Sequence, residues 1–168
     1  MNKIIYAFIL PLVLVSGAVL ANSEIKSENP AKAAKRKWEA TPEGIFFKKW
    51  EASPAGKKVY AGEAKIIKEI RSFSNMEGVV TSLSLPQGSR LGFGVMVKIK
   101  GEDYILSFGV ESKNEFEQLH KLKVNDKIII RSHNVSHAPK YAFPIVAGDN
   151  IERNGKLIYK RVPGKGGC

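Results

Sequence analysis

The chain has 168 residues with 27 Lys and Arg against 16 Asp and Glu, a net charge of +11. That length holds one domain with short extensions, and the charge favours polyanionic partners such as nucleic acid, phosphorylated lipid surfaces or acidic polysaccharide. The single cysteine, Cys168, excludes an intramolecular disulfide. On its Gly-rich tail it leaves an intermolecular disulfide as the pairing open to it.

Residues 1–21 read as a signal peptide. Lys3 supplies a short positive region, Ile4 to Val15 an apolar core, and Val19-Leu-Ala21 the small or apolar residues before a cut at Asn22. Pro11, Ser16 and Gly17 shorten the apolar run below the ~20 residues of a comfortable span, so a retained membrane anchor is the weaker alternative. The expectation is export, to a periplasm or the medium, with no transmembrane segment after cleavage. The rest of the chain carries its charge evenly, 12 basic and 7 acidic residues over 22–71 and 14 and 9 over 72–168, which argues against a dedicated basic tail.

A repeat of period 12 follows. Asn29-Pro, Thr41-Pro and Ser53-Pro each open a unit, and each unit ends Glu-Ala, at 39–40, 51–52 and 63–64. Asn, Thr and Ser are N-cap residues, and proline at the next position forfeits only a donor that would be unpaired anyway. The spacing therefore predicts three helices restarted at each cap, the third continuing through Ile66, Ile67, Ile70 and Phe73 as a longer amphipathic helix. Trp38 and Trp50 sit beside Lys35-Arg-Lys37 and Lys48-Lys49. Such pairs suit either an anionic chain or membrane interface, or the docking of the helices onto the following domain with their lysines in water.

From Gly78 the period becomes two. Val79, Thr81, Leu83 and Leu85 are expected on one face of a first strand, and Leu91, Phe93, Val95, Val97 and Ile99 on one face of a second. Lys98 and Lys100 then point to solvent. Gly101-Glu-Asp103 reverses into a third strand, Tyr104–Phe108. Ser112 and Glu115 form a capping box for a short helix carrying Phe116, Leu119 and Leu122. Lys127–Arg131 is a fourth strand, and Asn154-Gly155 a type I′ hairpin turn in the final strand region. Pro139 and Pro144 keep 137–148 out of any central strand.

Three strands, a helix and two further strand regions, with Leu122-Lys-Val-Asn-Asp-Lys-Ile128 at the helix-to-strand junction, resemble the OB-fold in element order. The resemblance implies an α+β, mainly β chain: a five-stranded OB-like barrel with one inserted helix, preceded by short N-terminal helices. The segments are then leader 1–21, charged helical repeat 22–53, lead-in helix plus barrel 54–161 and tail 162–168. It also implies a ligand lying across the second and third strands and the loops beside them, at Arg90, Lys98, Lys100, Arg131, His133, Lys140 and Tyr141.

Catalytic patterns are lacking. His133 and His137, on one strand, would lie about 13 Å apart, too far for one metal, and no His-Glu-x-x-His motif or phosphate loop occurs. No cofactor or metal is expected. The leading expectation is an exported, non-enzymatic binding module for an anionic polymer, nucleic acid or acidic glycan. An envelope protein–protein interaction module, with a protein partner, is the alternative. An exported nuclease or hydrolase comes third, because its acidic metal ligands cannot be assembled from the sequence.

Overall fold

The computed structural model describes residues 29–110 and 116–162. The leader, the Ser112/Glu115 capping box and Cys168 lie outside the described residues. Three helices come first, α1 (Pro30–Glu39), α2 (Pro42–Ala52) and α3 (Pro54–Ser72). Each begins where the repeat predicts. The side chains of Asn29, Thr41 and Ser53 accept hydrogen bonds from the backbone N–H of Ala31, Gly44 and Gly56, supplying partners for donors that a helix start leaves unpaired.

Eight strands follow: β1 (Met76–Ser82), β2 (Phe93–Ile99), β3 (Glu102–Gly109), β4 (Lys127–Arg131), β5 (Val135–Ser136), β6 (Ile145–Ala147), β7 (Asn150–Arg153) and β8 (Lys156–Lys160). They form one mixed sheet in the order β5-β6-β3-β2-β1-β4-β7-β8. The α+β, mainly β composition expected from the sequence is what the chain adopts, but with eight strands in place of five. The final region is cut into short pieces by Pro144, Gly148 and the hairpin at 154–155. β6 begins one residue after Pro144 and pairs in parallel with β3, so the prolines shorten this strand without excluding it from the sheet. Among the described residues, a single 3₁₀ turn (Leu119–Lys121) stands in the place of the inserted helix.

The main core lies between α3 and the inner faces of the strands. Ile66 and Ile70 of α3 pack with Val80, Val95, Val97, Ile99, Ile128, Ile130 and Ile151, and an aromatic group of Phe108, Phe116 and Tyr159 fills one end. Tyr104, fully buried, donates its hydroxyl to Gly62 O of α3 at 2.8 Å and ties helix to sheet. A smaller core covers the opposite face, where Met96 and Ile105 lie under Tyr141 and Ile145, flanked by Leu85, Leu91 and Phe143.

Two strand faces differ from expectation. In β1 the inward residues are Met76, Gly78 and Val80, with Thr81 and Leu83 exposed. Gly78 fills an inward position where a Cβ would lie 3.0 Å from Ile130 Cδ1, so the apolar alternation skips a position that the neighbouring isoleucines leave tight for a side chain. In β2, Gly94 and Met96 are buried along with Val95 and Val97, because the second core covers that face. The reversal after β2 is Lys100-Gly101, both at positive φ (48° and 82°). Lys100 therefore belongs to a turn and not to the strand face it was expected to share with Lys98.

Candidate functional site

The corners between the helices are built alike. Thr41 Oγ1 donates to Trp38 O at 2.8 Å and accepts from Gly44 N–H at 3.1 Å. Ser53 Oγ donates to Trp50 O at 2.6 Å and accepts from Gly56 N–H at 3.1 Å. At Gly44 and Gly56 a Cβ would fall 2.1 and 2.2 Å from those same tryptophan carbonyls. The unit is thus Trp-Glu-Ala-Thr/Ser-Pro-x-Gly, and its glycine lets one helix start against the last turn of the one before.

Turning the chain this way leaves an open groove of about 550 Å³ between α1, α2 and the loop after β5, lined by Trp38, Pro42, Phe46, Phe47, Pro139 and Lys140 among others. Phe46 is 63% exposed, Ile45 59% and Trp38 44%, a concentration of large apolar side chains in water that marks contact surfaces. Residues 29–52 carry six basic and three acidic side chains. Lys49 lies one helical turn from Ile45 and Phe46, and Lys35 one turn from Trp38. Lys35 is 3.9 Å from Glu39, and Glu43 is the acidic residue in the lining.

Behind the groove sits His137. Phe47 and Trp50 stack on its ring, centroids 5.8 and 5.6 Å away and planes within 28°, while Tyr60 lies at 4.5 Å. Its Nδ1 is 2.7 Å from Glu63 Oε1 and its Nε2 3.0 Å from Tyr60 Oη. Tyr60 donates in turn to Glu51 Oε1 at 2.5 Å, and Lys48 Nζ holds Glu51 Oε2 at 3.0 Å. Hydrogen bonds from Tyr60 and Lys48 keep the Glu51 carboxyl below the usual carboxylate range. Burial, then the bond to Glu51, pushes the Tyr60 phenol up to about 12. With both ring nitrogens engaged, His137 offers no free base to a substrate.

The seven strand-side residues expected to form one binding face fall into three groups. Arg90, Lys140 and Tyr141 stand together: Tyr141 Oη accepts from Arg90 N–H at 3.2 Å, Lys140 Nζ lies over the Tyr141 ring and donates to Gly88 O. The loop before β2 is thereby fastened to the loop before β6. Arg131 pairs with Glu152 at 2.6 Å, and His133 with Asp149 at 3.1 Å while stacking on Phe73 at 3.9 Å. Lys98 pairs with Asp103 at 3.5 Å; Lys100 bonds Glu69 Oε1 at 2.6 Å and Lys65 O at 3.0 Å. Of the six cations among these seven residues, Lys98, Lys100, Arg131 and His133 (the last when protonated) thus have a carboxylate partner, Lys140 is held by Gly88 O and the Tyr141 ring, and Arg90 is exposed.

The two tryptophans take different roles: Trp50 packs on His137 and Tyr60, whereas Trp38 contacts Phe47 at 5.6 Å and stays open to solvent. Sequence reasoning passed over Phe46, Phe47, Tyr60 and Glu63. The i, i+3 pairs Phe47/Trp50 and Tyr60/Glu63 are visible in the sequence, but nothing local says that they converge on His137. The two histidines do not share a strand face, since β4 ends at Arg131 and β5 begins at Val135. Among the described residues no group of three His, Cys, Asp or Glu could hold a metal ion, and no helix is long and apolar enough to cross a membrane.

Comparison of the chain with known protein families, with curated proteins and with solved structures finds no match in any of the three.

Proposed function

We propose that this protein is a non-enzymatic binding module for an anionic polymer, nucleic acid or acidic glycan, and that it grips that polymer at the α1–α2 corner. One observation carries the reading: Trp38, Ile45 and Phe46 are exposed beside lysines, whereas most strand-side cations are engaged by neighbouring carboxylates. Aromatic faces beside Lys and Arg suit a flexible anionic chain, which stacks on the rings and loses counterions to the cations. In this reading the leader exports the protein to a periplasm or the medium.

We also read the sheet as an OB-like barrel elaborated at one end. β1, β2 and β3 form a meander, and β4 returns beside β1. Residues 145–153 run along β3 through β6 and along β4 through β7, with Gly148 N–H donating to Ser107 O and Asp149 N–H to Arg131 O at the joint. On that reading the strand face that serves ligands in such barrels lies partly under Tyr141, Phe143, Leu85 and Leu91, which directs the polymer to the helices.

The test is affinity for single-stranded DNA and for heparin as a function of salt. Replacing Lys35, Lys49 and Lys140 together by Ala should weaken binding and flatten the salt dependence. On a single strand the log–log slope should fall by about 0.7 for each phosphate that is no longer neutralised. Trp38→Ala should weaken binding with little change in slope. The matched set Lys98, Lys100 and Arg131→Ala should matter less; if it alone abolishes binding, the site is on the strands. No affinity for either polymer at low salt would overturn the reading. The exposed Ile45 and Phe46 would then favour the second one, an interaction module for an envelope protein.

A further inference from the structure

The hydrogens in the chain Glu63–His137–Tyr60–Glu51 can be counted. Tyr60 keeps its single hydroxyl hydrogen, because burial and the neighbouring carboxylates disfavour the phenolate. Glu51 is a carboxylate, held so by Tyr60 and Lys48, and it has no hydrogen to give. The Tyr60 hydrogen therefore goes to Glu51 Oε1, 2.5 Å away, and the phenol oxygen can only accept from His137 Nε2 at 3.0 Å. On the other side of the ring, Nδ1 faces a carboxylate oxygen of Glu63 at 2.7 Å, which requires a second N–H. Phe47 and Trp50, themselves in contact at 5.5 Å, stack on the ring at 5.8 and 5.6 Å, and aromatic faces attract cations.

We infer that His137 is held as an imidazolium, and that this cation latches α2 and α3 onto the sheet and sets the back wall of the groove. The latch stands whatever the groove binds. The groups facing His137 are known from each element packed on it: Phe47, Trp50 and Glu51 from α2, with Lys48 beyond Glu51, and Tyr60 and Glu63 from α3.

Removing one proton leaves three hydrogen-bond positions with too few hydrogens. A bare Nδ1 would face the Glu63 carboxylate lone pair to lone pair. A bare Nε2 could be satisfied only by turning the Tyr60 hydrogen away from Glu51. Either way one bond is broken, and the attraction of the rings for a cation goes with it. The imidazolium is the form that the folded state binds, so the stabilisation is present at low pH and disappears as the pH rises and the proton leaves. Phe47 belongs to both the latch and the groove lining, so release of the latch reshapes the groove.

The experiment uses the full chain from about pH 5 to about pH 8, the range in which histidine charge changes in proteins. Hydrogen exchange of the α2 amides, corrected for the intrinsic pH dependence, should quicken severalfold as the pH rises, while the β2 and β3 amides stay protected. In His137→Phe the exchange of α2 should be fast and independent of pH. As a readout that needs no variant, nitrogen NMR of the His137 ring should show two N–H groups at the acidic end and loss of one in step with the loosening of α2. Pyridine-like nitrogen at the acidic end, with α2 protected, would overturn the inference. So would a pH response of α2 that persists in His137→Phe, or its absence from the unaltered protein.

Discussion

Gly56→Ala should destabilise this protein, although alanine is the better helix former by about 1 kcal/mol. The added Cβ would fall 2.2 Å from Trp50 O and 2.9 Å from Trp50 C, both backbone atoms. That carbonyl cannot swing aside freely. It accepts from Ser53 N–H at 2.9 Å and from Ser53 Oγ at 2.6 Å, and the Ser53 hydroxyl also accepts from Gly56 N–H. Relieving the clash means opening the corner and breaking one or two of these bonds, at about 1 kcal/mol each, on top of about 1–3 kcal/mol of overpacking strain. Less the helix-propensity gain, the net destabilisation is about 2 kcal/mol, a fall in Tm of about 4–8 °C for a chain of this size. Urea and thermal unfolding followed by circular dichroism would measure it. A Gly56→Ala protein as stable as the original, or more stable, would show that close approach at the corner does not bind α2 to α3. Gly44→Ala has the same geometry, with the Cβ at 2.1 Å from Trp38 O, and offers an independent repetition.

Gly155→Val should cost about 1 kcal/mol or more. No atom lies within 4 Å of a Cβ there, so the cost comes from φ alone, +71° in a turn where Asn154 is also positive; an unchanged urea midpoint would refute it. Asp126 should contribute to the acid limb of stability. Arg153 and the Lys123 N–H hold its carboxyl below its ordinary value, at 2.8 and 2.9 Å. A depressed carboxylate stabilises the fold above its unfolded value, about 3.9, and that contribution disappears as the pH falls through the folded one. The stability gap between the protein and Asp126→Asn should therefore be widest near neutrality and close below about pH 4, and a gap unchanged by pH would refute the assignment.

Features whose physics is confined to a few neighbouring residues were legible. The caps at Asn29, Thr41 and Ser53 each need only a side-chain oxygen and an N–H two or three residues on, and the helices begin there. Asn154-Gly155 is the same kind of signal, since two residues tolerant of positive φ determine the turn between β7 and β8. The run Lys127–Arg131 buries Ile128 and Ile130 in β4, as its β-branched residues suggest. Alternation misled where an inward position is a glycine, as at Gly78, because the pattern is carried by side chains and that position has none. It misled again at Lys100, where the turn begins one residue before the glycine that advertises it.

What tertiary structure decided is which charges are neutralised and which rings converge. Lys98, Lys100, Arg131 and His133 look alike in the sequence, yet the carboxylates Asp103, Glu69, Glu152 and Asp149 reach them across the sheet or from α3. Trp38 and Trp50 occupy equivalent places in the repeat, but only Trp50 faces His137. Glu63 and Tyr60 meet that histidine from 74 and 77 residues away. Local hydrogen bonding is written in the spacing of a sequence, whereas an ion pair or a ring stack between distant segments depends on how the whole chain is folded, and that no spacing records.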